Sequence, residues 1–319
     1  MAYRKIVGSY RSSDEKHTLR YVVYEPADSP IRAVLQISHG MCEYIDRYED
    51  FAGFLCRQGI LVCGNDHLGH GEMAQRSNTL GYFGEKNGHN LLPADVRKLT
   101  LLIKRQYGDL PYFLLGHSMG SFIARRYLAK YGSQGLLDGA VIMGTSGSNP
   151  LSKTAIKLAE WTIRRRGSRY LSSFLRNQST GMYSRRFKDG DSPNAWLSRD
   201  LGVVRKYDRD PLCTFQFSAA AYRDLFTLLD SVSGMKWAER VPKELPILIT
   251  SGGDDPVGNF SKGVREVYEN LKKAGVKEVS LQLYEKGRHE ILNETNRTEV
   301  YEDILRFLES HLEEKGSGH

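Results

Sequence analysis

One pentapeptide constrains this chain more than any other feature. Gly116-His117-Ser118-Met119-Gly120 stands between an apolar run at residues 112–115 and a helix-like run at 121–131. A serine with glycines two residues to either side fits a sharp strand-to-helix turn that exposes its hydroxyl. The backbone crowds itself at such a turn, and a Cβ at either glycine would clash. The pattern therefore asks for a strand running straight into a helix, as in layered α/β architectures.

The rest of the sequence supplies that architecture. Residues 4–10 and 19–25, short and rich in β-branched and aromatic side chains, read as an antiparallel pair. Residues 33–38, 60–65, 112–115 and 140–144 read as buried strands, with an amphipathic run at 48–57 between the first two. A helix is expected over 92–107, starting near Pro93, and another from Ser118 to Tyr131 with Gly132 as its cap. The rhythm breaks at 145–150 and resumes with a strand at 246–250, a helix at 262–274, a strand at 279–284 and a helix at 297–313. Strand and helix alternating in this way predict an α/β fold, a mostly parallel eight-stranded sheet flanked by helices. The long interval after the sixth strand has helical stretches and no convincing parallel strand. It reads as a helical lid over the carboxyl edge of the sheet, where open α/β sheets bind ligands. The expected organisation is a core over 1–148 and 241–314, a lid over 149–240, and a tag-like remnant at 315–319.

Charge is placed unevenly. Residues 150–240 hold 17 Lys/Arg against 9 Asp/Glu, whereas the whole chain carries a net +7. A basic segment can meet an anionic membrane surface, a phosphate group or nucleic acid, and a solvated cationic face is the plainer reading. No nucleic-acid-binding motif accompanies it. Arg164, Arg165, Arg166, Arg169, Arg185 and Arg186 form its densest part. Apolar residues recur at near-helical spacing in the same interval (Ala155, Ile156, Leu158, Ala159, Ile163; Leu171, Phe174, Leu175; Tyr222, Leu225, Phe226, Leu229), and part of that stripe is expected to line an acyl pocket. No run is long enough to span a membrane, and residues 1–8 lack the apolar stretch of a signal peptide. Cys42, Cys56, Cys63 and Cys213 show no paired spacing and read as free thiols of a cytoplasmic protein.

A serine hydroxyl needs a base, usually histidine, and a third group to orient that base. Of nine histidines, His289 is the strongest candidate, lying just beyond the last strand. His39 and His117 flank glycines in tight loops and read as neighbours of the site. His67 and His70 lie in a glycine-containing loop with no third ligand evident, so no metal is assigned. The acid belongs after the strand at 246–250, where Asp254 and Asp255 compete. Pro256 restricts the residue before it to extended backbone, which favours Asp255 and leaves Asp254 to cap the turn or face solvent. An oxyanion needs two amide donors. Met119 follows the nucleophile at a helix start, and Met41 follows His39 and Gly40 in the loop after the third strand.

These segments resemble the monoacylglycerol lipases and bacterial lysophospholipases of the α/β-hydrolase fold, a group also labelled serine aminopeptidases. The resemblance rests on residues 39–43 with Arg47 and Tyr48, on 66–71, 116–120 and 251–256, and on 288–290 with Asn293 and Glu294. It implies Ser118, Asp255 and His289 as the triad, the Met41 and Met119 amides as the oxyanion site, and Gly40, His39, His70 and His117 as supporting residues. It also implies hydrolysis of a single-chain lipid ester, a monoacylglycerol or lysophospholipid, with no cofactor. The alternatives are a proline-aminopeptidase or small-ester activity on the same triad, and a catalytically silent lipid-binding protein.

Overall fold

The structure, a computed structural model, describes residues 3–179, 181, 183–187 and 192–316. The Arg185 side chain and residues 317–319 of the tag-like end lie outside the described residues. Strands β1 (Tyr3–Arg11) and β2 (Thr18–Pro26) pair antiparallel, and β2 joins β4 (Ile60–Asn65) antiparallel. From β4 onward every neighbour is parallel: β3 (Ala33–Ser38), β5 (Tyr112–His117), β6 (Gly139–Met143), β7 (Ile247–Gly252) and β8 (Val279–Tyr284). The order across the eight-stranded sheet is β1-β2-β4-β3-β5-β6-β7-β8.

Strands β3 to β7 are buried along their whole length, as strands covered on both faces must be. The pleat divides each between two cores. In β5, Tyr112 and Leu114 face one apolar cluster while Phe113 and Leu115 face the other. The first cluster packs against α3 (Gly88–Tyr107), α4 (Met119–Tyr131) and α9 (Lys262–Lys273); the second packs against α1 (Glu49–Cys56) and α10 (Arg297–Gly316). A short α2 (Gly71–Arg76) follows β4. All four cysteines are buried and free.

Between β6 and β7 the described residues form four α-helices, short 3-10 turns and no strand: α5 (Ser152–Arg166), α6 (Ser173–Ser179), α7 (Leu201–Arg209) and α8 (Ala219–Ser231). Helix α8 carries this segment onto the core. Its buried Asp224 accepts from the Gly88 amide at 3.1 Å and faces His89 Nδ1 at 3.2 Å.

One helix start moves, and one helix end falls where expected with a different cap geometry. Helix α3 begins at Gly88, five residues ahead of Pro93, which lies inside it. The Asp224 carboxylate takes the Gly88 amide and so fixes the earlier start. Helix α4 ends at Tyr131 with Gly132 as its cap, as expected, but Gly132 is right-handed (φ −57°) and opens a 3-10 turn whose left-handed residue is Gly135 (φ 65°). Glycine is needed at 132 for closeness, since a Cβ there would stand 2.7 Å from Pro242 Cδ.

Candidate active site

Strand register brings the pieces together. Ser38 lies opposite Gly116, so the loop leaving β3 sits beside the turn that leaves β5. In that turn Ser118 adopts φ 54° and ψ −122°, a left-handed conformation that costs a non-glycine residue energy. Both flanking glycines are required by space. A Cβ on Gly120 would lie 1.9 Å from the Ser38 carbonyl oxygen, and one on Gly116 would lie 2.3 Å from that of Gly120. The Ser118 amide donates to Met143 O at 3.0 Å, which ties the turn to β6.

Asp255 follows β7 and His289 follows β8, both buried. Asp255 Oδ2 lies 2.9 Å from His289 Nδ1 and also accepts from Ser251 Oγ at 3.1 Å, while Oδ1 accepts from the Val257 amide at 2.9 Å. A carboxylate so placed favours the tautomer with the proton on Nδ1 and leaves Nε2 as an acceptor. Asp254 is exposed, with its amide bonded to Gly287 O. The Trp196 ring packs on His289 with centroids 5.0 Å apart, and the His289 and Glu290 amides donate to Trp196 O and Leu197 O.

Residues 39–43 form the facing loop. The Gly40 amide donates to Glu43 Oε1 and the Cys42 amide to His70 Nε2 at 3.3 Å. Among the described residues, the Met41 amide between them meets no protein acceptor. Met119 opens α4, so its amide is one of those a helix leaves without an intrahelical partner. Gly40 must be glycine here, because a Cβ would come within 2.6 Å of Glu43 Oε1 and 3.0 Å of Ser118 Cβ.

His39, His67 and His70 cluster behind this loop, off the cavity wall. His39 donates from Nδ1 to Gly40 O at 2.8 Å and accepts the His67 amide at Nε2. His70 donates from Nδ1 to Leu68 O, and His67 Nε2 faces Ser38 Oγ at 3.1 Å. Burial lowers the pKa of all three, His70 to about 3, so each stays neutral and acts as a shaped hydrogen-bonding wedge.

His117 behaves in the opposite way. Burial alone would lower its pKa, but the hydrogen bond and charge of Glu43 outweigh that and raise it. Its Nδ1 lies 3.1 Å from Glu43 Oε1, and its Nε2 lies 3.2 Å from His289 O. Burial would likewise raise the Glu43 pKa, yet His117 and Arg47 hold it far below the usual range. Arg47 donates to Glu43 at 3.0 Å and twice to Glu290 at 2.7 Å, and Tyr48 donates to Glu43 at 2.9 Å. This buried network joins the β3 loop to the residue after His289. Reasoning from single residues missed it; the signal was the spacing of Glu43, Arg47 and Tyr48 and the pair His289-Glu290.

A cavity of about 1200 Å³ opens over this edge, lined by Gly40, Met41, Ser118, Met119 and His289 from the core and by Tyr222, Leu225, Phe226 and Leu229 from α8. The stripe along α5 instead packs away from the cavity. In the middle stripe Leu175 is buried while Leu171 and Phe174 are exposed.

Comparison with known proteins identifies the family. The model of the family described as serine aminopeptidase, S33, a hydrolase family, matches residues 29–296, and the chain belongs to that family. It is 29% identical to the monoglyceride lipase of Homo sapiens over 83% of this chain and 78% of that protein. It is 27% identical to the monoacylglycerol lipase of Mycolicibacterium smegmatis over 92% of this chain and 93% of that one. A thermostable carboxyl esterase from Bacillus coagulans superposes with a TM-score of 0.90 at 31% identity, covering 98% of this chain and 99% of its own.

Proposed function

We propose that the protein is a serine carboxylic ester hydrolase of single-chain lipids, monoacylglycerols first among them. The observation that carries this is the strained Ser118 turn facing an apolar-walled cavity shared with the end of a buried Asp255–His289 pair. His289 takes the hydroxyl proton as Ser118 attacks the ester carbonyl, and Asp255 holds the imidazole tautomer and stabilises its charged form. The tetrahedral oxyanion is met by the Met41 and Met119 amides. The alcohol leaves with the proton from His289, and water cleaves the acyl-enzyme by the same route in reverse. The α8 side chains Tyr222, Leu225, Phe226 and Leu229 take the acyl chain. Relatives that are monoacylglycerol lipases and a carboxyl esterase support the reading.

The β6–β7 segment acts as a lid that meets lipid. Apart from Val7, the exposed large hydrophobic residues among those described are Leu151, Trp161, Tyr170, Leu171, Phe174 and Leu201, all in this segment. Arg164, Arg165, Arg166 and Arg169 stand among them. Exposed aromatics beside a basic cluster suit the interface of an anionic membrane. Among the described residues no helix is long and apolar enough to cross one.

A peptidase reading has one observation in its favour, the carboxylate of Asp208 in the cavity wall, where it could meet an α-amino group. Asn194 Nδ2 already donates to it at 2.8 Å, and Arg176 and Arg205 line the same cavity. The test is a panel of p-nitrophenyl esters from C2 to C16 beside a monoacylglycerol, lysophosphatidylcholine and a proline-aminoacyl amide. Turnover greatest on the monoacyl lipids supports the proposal. Turnover of the amide above the esters overturns it.

A further inference from the structure

The neighbours of the His289 ring come from two parts of the chain. From the sheet, Asp255 meets Nδ1 at 2.9 Å and the His117 ring lies 4.7 Å away between centroids. Gly144, at the end of β6, leaves room at the ring edge, where a Cβ would stand 3.3 Å from His289 Cε1. From the β6–β7 segment comes the Trp196 ring, 5.0 Å away between centroids.

Trp196 sits in a short 3-10 turn (Ala195–Leu197) that is buried. The turn and the two residues after it run beside the loop that carries His289 and are bonded to it along their length. Arg288 Nη1 donates to Ala195 O at 2.7 Å and to Ser198 O at 3.3 Å. The His289 amide donates to Trp196 O at 3.4 Å and the Glu290 amide to Leu197 O at 2.7 Å. Further on, Ser198 Oγ donates to Asn293 O at 2.9 Å and Arg199 Nε to Glu294 Oε2 at 2.9 Å.

Bonds of this kind fix where the loop lies, but they leave the side-chain torsions of His289 free to choose among rotamers. The hydrogen bond to Asp255 is a single pivot. A ring held at one atom can tip or swing wherever space beside it is empty, and Trp196 fills that space. Its own ring is braced by Tyr183, edge-on at 5.1 Å, and it packs in an apolar cluster with Leu197, Tyr207 and Val257. Val257 is the residue whose amide donates to Asp255 Oδ1, so one cluster lies against both the acid and the histidine.

We propose that Trp196 is a positioning residue for His289: its indole confines the imidazole to the orientation in which Nδ1 meets Asp255 and Nε2 is left for the Ser118 proton. The inference rests on the reading of His289 as the general base given above. Residues 195–199 then work with the sheet, although the chain places them among the residues of the lid. Trp196 also lines the cavity, so the competing role is simply to pack an acyl chain. An acetyl ester has no chain to pack and separates the two.

The test compares Trp196→Ala, Trp196→Leu and Trp196→Phe with the parent protein. It measures kcat and KM on p-nitrophenyl acetate and on a long-chain p-nitrophenyl ester, the rate at which a fluorophosphonate labels Ser118, and thermal unfolding. For Trp196→Ala the expected result is a fall in kcat of about tenfold to a hundredfold on both esters, the scale on which a misplaced group costs rate. KM for the acetate should hardly change, and labelling should slow in step with kcat. Trp196→Phe, which keeps a flat ring against the imidazole, should recover most of the loss, and Trp196→Leu little of it. Should Trp196→Ala fail to fold, Trp196→Leu keeps apolar bulk at the site and carries the same expectation. Parent-like acetate turnover and labelling in a folded Ala or Leu variant would overturn the proposal, as would a loss confined to the long-chain ester or a Phe variant no better than Ala. Turnover near the parent level in His289→Ala would instead place the fault in the reading of His289 as the base.

Discussion

The cavity has two unlike walls. On the sheet side, the polar side chains around Ser118 are buried and committed: His39 and His70 to backbone groups, Glu43 to three side chains and an amide, Asp255 to His289, Ser251 and Val257. The opposite wall is the β6–β7 segment, on whose outer face, turned from the cavity, large apolar residues and arginines stand in solvent. Reactions need groups held to a fraction of an ångström, and a close-packed sheet edge provides that. A surface that meets lipid needs free apolar side chains and unpaired cations, which a packed core cannot leave exposed. On the proposed reading, chemistry belongs to one wall and access to the other.

The largest effect expected is on the sheet wall. Ser118→Ala should lower ester turnover by at least about a thousandfold with little change in thermal unfolding. Measurable turnover near the parent level would remove chemistry from this wall. Asp255→Asn should cost on the order of 10⁴ in kcat by stabilising the wrong imidazole tautomer, while Asp254→Asn, an exposed change, should be nearly silent. The reverse ranking would move the acid by one residue.

On the other wall, replacing Arg164, Arg165 and Arg166 together by glutamate should weaken co-sedimentation with anionic vesicles by tenfold or more, at about 1 kcal/mol per charge near the surface. Turnover of p-nitrophenyl acetate should stay within about twofold of the parent, because that ester needs no lipid surface. Equal losses in both assays would mean that the walls do not divide the work.

The smallest effect concerns a buried carboxyl remote from both walls. Asp95 accepts from Ser12 Oγ at 2.9 Å and from the Ser13 amide, and burial pushes its pKa up to about 6. The folded state therefore holds the proton more tightly than the unfolded chain, whose carboxyl titrates near the ordinary value. Stability contributed by the protonated form is complete below about pH 4 and is lost as pH rises to about 6, by about 3 kcal/mol at most. Asp95→Asn should remove that loss, so its unfolding midpoint should gain on the parent between pH 4 and pH 8. A constant difference across that range would show that Asp95 titrates normally.

The eight strands were legible because the central ones are short apolar runs and the first two are short and rich in β-branched and aromatic residues, and β3, β4 and β8 begin and end where the pattern puts them. Ser118, Asp255 and His289 were legible because each follows a strand in a loop with recognisable turn chemistry. Asp255, the residue that Pro256 favours, is the one that lies beside His289, while Asp254 is exposed. Helix ends were less legible. Gly132 does cap α4, but Pro93 misplaces the start of α3, which a tertiary partner, Asp224, sets at Gly88. The network of Glu43, Arg47, His117 and Glu290 was hidden for a similar reason: its members are scattered along the chain and meet only once the sheet is assembled. The burial of Arg125 was hidden too, since an arginine on a helix reads as surface until its packing is seen.

The central claim is that ester cleavage runs through Ser118. Mixing the protein with a long-chain p-nitrophenyl ester, quenching in acid within the first turnovers and mapping the digest by mass spectrometry tests it directly. The account predicts the mass of one acyl group on the peptide that contains Ser118, and no such adduct in Ser118→Ala. Rapid turnover with no adduct, or with the acyl group on another residue, would contradict it.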